Sequence, residues 1–272
     1  MIKFGVTAPG GQYKWLAQEG HKVVYASGFD SVTNLVTTAC ADGVGVNTEG
    51  SNKPSRLMQL KIVPGGTDAE DGRYKLFKLL PVGTKQRYLI STDNEDYYIY
   101  ATATAFEVNP FSEQLQRQTV TVTLTAEDPN FYLLTPNSIT KNISEVSPAV
   151  FTISNDGETV GFKLTVKTDA QNTNSLRNVT VKVGDKTLSF TNNINALGSY
   201  MVISTVKNSK SATLYTKTGN TSFTAQDVMG LRVDGSTFPQ LAARSSTTVT
   251  VSVNGTGAGT AKLDFRRGYD FI

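Results

Sequence analysis

Strict alternation of apolar and polar residues is the dominant pattern along this chain. Thr119-Val120-Thr121-Val122-Thr123-Leu124-Thr125 puts Val120, Val122 and Leu124 on one face and four threonines on the other. Successive side chains of a strand point to opposite faces, so the pattern predicts a half-buried strand of an antiparallel sheet. Thr248 to Val253 and Val179 to Val183 repeat the design. So do Phe162, Leu164 and Val166, spaced by Lys163 and Thr165, and Ala261, Leu263 and Phe265, spaced by Lys262 and Asp264. Arg56 to Val63, Arg87 to Ser91 and Tyr97 to Val108 also read as strands.

Turn signals separate these runs. Asn155-Asp156-Gly157 precedes the Phe162 strand, and Gly184-Asp185 separates Val179–Val183 from Leu188–Phe190. Asn254-Gly255-Thr256-Gly257-Ala258-Gly259 is expected to join the last two strands as a hairpin. Short strands at such spacing predict a β-sandwich over residues 150–272. One segment reads differently. Asp68 to Leu80 predicts a helix, with Thr67 or Asp68 as its cap, acids Asp68, Glu70 and Asp71 at its start, and Lys75 and Lys78 near its end. Tyr74, Phe77 and Leu80 would share one face, and Pro81 and Gly83 end the helix. Gly43 to Lys53, rich in Gly, Asn and Ser, reads as a mobile loop or the tip of a long hairpin. Leu134 to Pro148 reads as a linker between domains 1–134 and 135–272.

Composition adds bounds. The chain has 272 residues, enough for two medium domains, each with its own core. The net charge of +3 is too small to argue for nucleic acid. Residues 1–134 carry 12 basic and 14 acidic side chains, and residues 135–272 carry 14 and 9, which fits two domains in different surroundings. The single cysteine, Cys40, excludes an intrachain disulfide and reads as a small buried hydrophobe. Met1-Ile2-Lys3-Phe4-Gly5 opens no signal-peptide run, and no stretch approaches the roughly 20 apolar residues of a membrane span. Synthesis in a cytoplasm without membrane insertion is expected.

Chemistry is sparse. The only histidine, His21, stands in the polar turn Gln18-Glu19-Gly20-His21-Lys22 and reads as a solvated surface residue. A histidine metal cluster is thereby excluded. Ser91-Thr92-Asp93-Asn94-Glu95-Asp96 is rich in oxygen ligands but lacks the glycine and distal glutamate of a calcium loop, so a charged hairpin turn is expected. Gly255 to Gly259 resembles a phosphate loop only superficially, because it lies between two strands and offers no helix N-terminus. No cofactor, metal or catalytic residue is assigned.

Several segments together resemble the distal tail proteins of long-tailed bacteriophages. Val120 to Leu124 followed by Asp128-Pro129-Asn130-Phe131-Tyr132 is similar to the end of that family's first domain. Phe151-Thr152-Ile153-Ser154-Asn155-Asp156-Gly157 is similar to the strand and turn that open its second. Asn178 to Val181, Phe238-Pro239-Gln240-Leu241 and Thr248 to Val253 then follow the family's order. The similarity covers roughly residues 97–272, and the N-terminal third matches in outline. Where the family has a Pro-Gly turn after Leu241, this chain has Ala242-Ala243-Arg244-Ser245.

The resemblance implies a mainly β chain of two β-sandwich domains, the first with a helix and a long β-hairpin, the second galectin-like. It implies a hexameric ring at the distal end of the tail in the virion, a baseplate hub that is not an enzyme. The ring's partners would be the tail tube protein, a tail-tip or tail-associated protein, and receptor-binding or baseplate proteins, with viral DNA only passing through its channel. The interface candidates are Gly43, Asn47, Asn52 and Lys53 of the long hairpin and Asp93, Glu95 and Asp96 of the acidic turn. A second reading is a carbohydrate-binding module for host adhesion, centred on exposed aromatics of residues 150–272 such as Tyr200 and Tyr215.

Overall fold

The computed structural model describes residues 2–7, 11–30, 34–39, 46–112, 117–169, 176–194 and 198–272, with backbone alone for 34–39, 46–52, 110–112 and 117. Cys40 and Gly43 lie outside the described residues. The chain is mainly β and forms two compact units. Unit 1 comprises residues 1–134 together with 269–272, and unit 2 comprises 135–268.

Unit 1 contains β1 (Lys3–Thr7), β2 (Tyr13–Trp15), β3 (Lys22–Ser27), β4 (Asn34–Ala39), β5 (Val46–Asn52), β6 (Arg56–Val63), α1 (Ala69–Leu79), β7 (Lys85–Ser91), β8 (Asp96–Ser112), β9 (Arg117–Ala126) and β10 (Phe131–Leu133). One sheet runs in the order β2-β1-β7-β8-β9-β6-β3, and β10 adds to β8. Alternation sets its faces. Met58, Leu60 and Ile62 of β6 point inward with Val120, Val122 and Leu124 of β9, while Thr121, Thr123 and Thr125 alternate with them and are half-buried. β4 and β5 pair only with each other among the described residues. They come between β3 and β6 in the chain, so the described residues of this region follow the course of one long hairpin whose upper strands form a two-stranded sheet of their own. Of the two readings of Gly43 to Lys53, the pairing of β4 with β5 agrees with the hairpin rather than the loop over the described residues.

The helix stands where the sequence predicts it, with the Asp68 carboxylate accepting from the Asp71 amide at 2.8 Å. Its buried side is another one, however. Gly72 and Leu76 face the core with Leu80 just beyond, whereas Tyr74 is 67% exposed. Phe77 lies between, its ring edge-on to Phe106 at 4.8 Å. Gly72 permits this orientation, because its bare backbone packs against Pro64 and Gly65, where an added Cβ would stand 3.2 Å from the Pro64 side chain.

His21 is buried, 2% exposed, contrary to the surface position expected. Gly65 passes so close to Gly20 that an added Cβ would stand 2.0 Å from the Gly20 carbonyl oxygen. In this crossing the Gly65 amide donates to His21 Nδ1 at 3.0 Å. Burial lowers the imidazole pKa below its ordinary 6.5, with Glu19 opposing and Lys75 adding to the effect. The folded protein thus holds His21 neutral, while the unfolded chain protonates it below about pH 6.5. Stability from this site is full above that value and falls as pH drops toward the depressed folded pKa. Thermal melting from about pH 7.5 to 5.5 is expected to show a steeper loss in the native protein than in His21→Gln, and equal slopes would contradict this.

Unit 2 contains β11 (Asn137–Ser144), β12 (Ala149–Asn155), β13 (Phe162–Thr168), β14 (Leu176–Val183), β15 (Lys186–Ser189), β16 (Asn193–Ile194), β17 (Tyr200–Ser204), β18 (Ser211–Lys217), β19 (Phe223–Asp227), β20 (Ser245–Asn254) and β21 (Ala258–Phe265). They form two antiparallel sheets, β11-β21-β13-β17-β18-β19 and β12-β20-β14-β15 with β16 on β14. Alternation gives each an apolar and a polar face. Leu164, Val166, Ile203 and Leu263 of the first sheet and Phe151, Val181, Val249 and Val251 of the second are fully buried, and the interleaved Thr and Lys residues face out.

Two expectations need correction here. The presumed linker contains β11, which pairs with β21 over eight residues. The presumed hairpin at Asn254–Gly259 is a crossing from one sheet to the other, since β20 pairs with β12 and β14 while β21 pairs with β11 and β13. Alternation identifies a strand but not its partner. In the turn after Leu241, Arg244 adopts φ 48°, a left-handed conformation that glycine takes without strain. The buried Asn155 side chain secures this region by donating to the carbonyls of Ala242 and Glu158 at 2.9 and 2.8 Å.

Candidate assembly surface

The base of the long hairpin is built around Arg56. The residue occupies the inward parity of β6, in line with Met58, Leu60 and Ile62, and is 1% exposed. A buried guanidinium is costly unless its N–H groups are used. Here Nε donates to the Pro129 carbonyl at 2.7 Å. Nη1 donates to the carbonyls of Gly28 at 2.8 Å and Asp30 at 2.6 Å. Nη2 donates to the carbonyl of Asp270 at 2.5 Å. The Phe131 ring lies under the guanidinium, 4.6 Å from its centroid, and stacks on Phe29 at 5.9 Å. Burial lowers the guanidinium pKa, and the nearby Asp270 and Asp30 oppose that shift.

One side chain therefore ties together the end of β3, the turn between β9 and β10, and the last residues of the chain. Tyr269–Ile272 belong to unit 1. β22 (Gly268–Tyr269) pairs with β10, the Tyr269 ring meets Tyr97 edge-on at 6.0 Å, and Ile272 packs against the unit 1 core. The segment Asp128 to Tyr132, noted in the sequence, has a role in each position. Asp128 accepts from the Tyr132 hydroxyl at 2.7 Å and from the Asn130 amide at 3.3 Å, Pro129 receives Arg56, and Phe131 supports it.

The sequence-predicted interface residues fall in two places. Asn47 and Asn52 lie on β5, opposite Thr38 and Asn34. Lys53 follows them and places its ammonium 3.4 Å from the Asp270 carboxylate. Asp93 and Glu95 lie in the turn between β7 and β8, a charged hairpin turn, and Asp96 opens β8 opposite Ser91. The Thr92 hydroxyl there accepts from the Glu95 amide at 3.1 Å and donates to the Glu95 carbonyl at 2.9 Å. Register puts both places at one end of the sheet. Arg56 pairs with Ala126, and Thr125 with Thr102, from which β8 runs back to Asp96. The hairpin, the acidic turn and the last residues of the chain thus share that end. Among the described residues no group of acids, histidines or cysteines is arranged to hold a metal, and no helix is long and apolar enough to cross a membrane.

Sequence reasoning missed Arg56 and Asp270. Arg56 carried one signal, its place on the inward face of an alternating strand. Asp270 carried none, because nothing in the sequence tells that the last residues return to unit 1.

The fold, mainly β in two units, is similar to that of phage proteins of known structure. The Dit protein (gp 19.1) of phage SPP1, described as a paradigm of the hub adsorption apparatus in phages infecting Gram-positive bacteria, matches 98% of this chain over 99% of its own. The TM-score is 0.67 and the identity 14%. A chain of the phage p2 baseplate in its activated conformation, in structures with calcium and with strontium, matches over 100% of both chains with a TM-score of 0.55 and 10% identity. At such identities the likeness is one of fold. No family model matches the sequence, and no curated protein matches it significantly.

Proposed function

We propose that this chain is a non-enzymatic hub subunit at the distal end of a phage tail, where six copies close into a ring between the tail tube and the adsorption apparatus. The full-length correspondence with the SPP1 hub protein carries this reading, since the likeness covers 98% of this chain and 99% of that one. On this reading unit 2 is galectin-like and projects toward tip or receptor-binding proteins, and unit 1 lines the channel. A closed ring repeats one heterologous contact around an axis. Unit 1 has features suited to such a contact. β3 is the last strand of its sheet, and Tyr25 and Leu57 at the hairpin base are 56% and 63% exposed. An edge of this kind accepts a neighbour's strand. The excess of 14 acidic over 12 basic residues in 1–134 suits a channel wall that does not grip DNA.

Light scattering after gel filtration, carried to high protein concentration, tests the ring. A species of about six times the 29.3 kDa subunit mass is the expected result. A strict monomer, even after addition of purified tail tubes, would overturn it.

A further inference from the structure

The outward face of the six-stranded sheet of unit 2 carries a cleft of about 420 Å³ at the end where β11, β21 and β13 lie side by side. Its shape follows from the register. Asn142, Thr260 and Lys167 stand in one row across the three strands, and Ser144, Ala258 and Asp169 in the next. The central strand contributes Ala258 and Thr260, and the flanking strands the longer Asn142, Lys167 and Asp169, so a trough forms over β21. Gly259 keeps that strand close to β13, since an added Cβ would stand 2.1 Å from the Lys167 carbonyl oxygen.

The chemistry of the trough is mixed. An amide, hydroxyls, an ammonium and a carboxylate supply donors and acceptors from both walls. Ile143, Ala258 and the threonine methyls add apolar surface between these groups, and Asp169 beside Lys167 disfavours a phosphate. Next to this polar set stands an aromatic one. Tyr200 pairs with Lys167 across β13 and β17, and its other neighbour, Tyr215, stacks on it at 4.7 Å. Phe223 meets Tyr200 edge-on at 5.3 Å and is 42% exposed. Rings with hydroxyls on their edges and C–H groups on their faces are matched by such a pairing of hydrogen-bonding side chains with an aromatic wall.

We propose that this cleft is a saccharide-binding site, taking one or two neutral hexose or N-acetylhexosamine units of a polysaccharide. Asn142, Thr260, Lys167 and Asp169 hydrogen-bond the hydroxyls of the first ring, and Tyr200, on the next strand beyond Lys167, lies beside the cleft as an aromatic surface for a second. The site lies within unit 2 and does not rest on the ring reading, so the subunit mass and the sugar affinity test separate statements.

The probes are neutral tetrasaccharides of glucose, galactose, rhamnose and N-acetylglucosamine, titrated onto the full chain by saturation-transfer NMR and calorimetry. At least one is expected to bind saturably, with a dissociation constant of about 1 mM or tighter. Thr260→Arg, which fills the trough from an outward position, is expected to weaken binding at least about tenfold, and Tyr200→Ala likewise. Lys182→Glu, on the outer face of the other sheet, leaves it unchanged. Lys167→Ala and Asn142→Ala serve if either first variant melts early. Saturable binding lost in the cleft variants and kept in Lys182→Glu supports the site. No saturable binding to any probe at about 10 mM, or binding indifferent to the cleft variants, overturns it.

Discussion

Arg56→Met is expected to destabilise unit 1 by about 4 kcal/mol, because four backbone carbonyls, two in buried and two in part-buried hydrogen bonds, lose their donor at once. Each orphaned carbonyl costs about 1 kcal/mol or more, and methionine fills the aliphatic volume without replacing any bond. Removing the charge also takes away a cation that lies near Asp270 and Asp30, although Asp270 keeps Lys53. Arg56→Lys retains the charge, but an ammonium offers three donors from a single point and cannot reach carbonyls placed for a planar fork, so a large part of the loss remains. Trp15, the only tryptophan, lies on β2 of unit 1, so its fluorescence during urea unfolding reports this unit. A midpoint unchanged in Arg56→Met would show that the guanidinium is dispensable.

Gly28→Ala is expected to be the second most damaging change. Gly28 has φ +90° where β3 leaves β6 and the chain turns into the upper hairpin. A Cβ there would stand 2.1 Å from the Leu57 carbonyl oxygen. The left-handed backbone costs about 1–2 kcal/mol for alanine. The overlap with a backbone atom adds about 1–3 kcal/mol, since a carbonyl cannot move aside as a side chain can. The same unfolding assay is expected to show a loss of about 2–5 kcal/mol from these two terms. Wild-type stability in Gly28→Ala would mean that the hairpin base adjusts freely. The Gly28 carbonyl is also an acceptor for Arg56, so the two substitutions share a network. The double variant should lose less than the two single losses together, because both singles already disturb the same Arg56–Gly28 hydrogen bond.

Position in the proposed ring gives these residues significance beyond stability. Arg56 joins the hairpin base to the last residues of the chain, and the acidic turn lies at the same end of the sheet. A hairpin that leaves its sheet can present a reproducible contact only if its base is held. The guanidinium supplies that hold through several backbone segments distant in sequence.

Much of the architecture was legible because a half-buried strand writes its two faces into alternating residues. The runs at 119–125, 162–166, 179–183, 248–253 and 261–265 are all strands, with the predicted side inward. The helix was legible through its cap and charge order, and the acidic turn through its composition. Asp128 to Tyr132 stood out as a motif, although its work in receiving and supporting Arg56 did not.

What the sequence alone determined, then, is the mainly β character, most strands and their faces, and the place of the single helix, because these follow from periods of two and 3.6 residues acting over short distances. Tertiary structure alone decided which strands pair. It sent β20 and β21 to different sheets, made β11 a strand where composition suggested a linker, and turned α1 to bury Gly72 and Leu76 in place of Tyr74. It also buried His21 at the crossing of Gly20 and Gly65 and closed four carbonyls around Arg56. The reason is common to all of these. Each depends on segments tens to hundreds of residues apart meeting in space, and no local pattern records which distant partner a face will find.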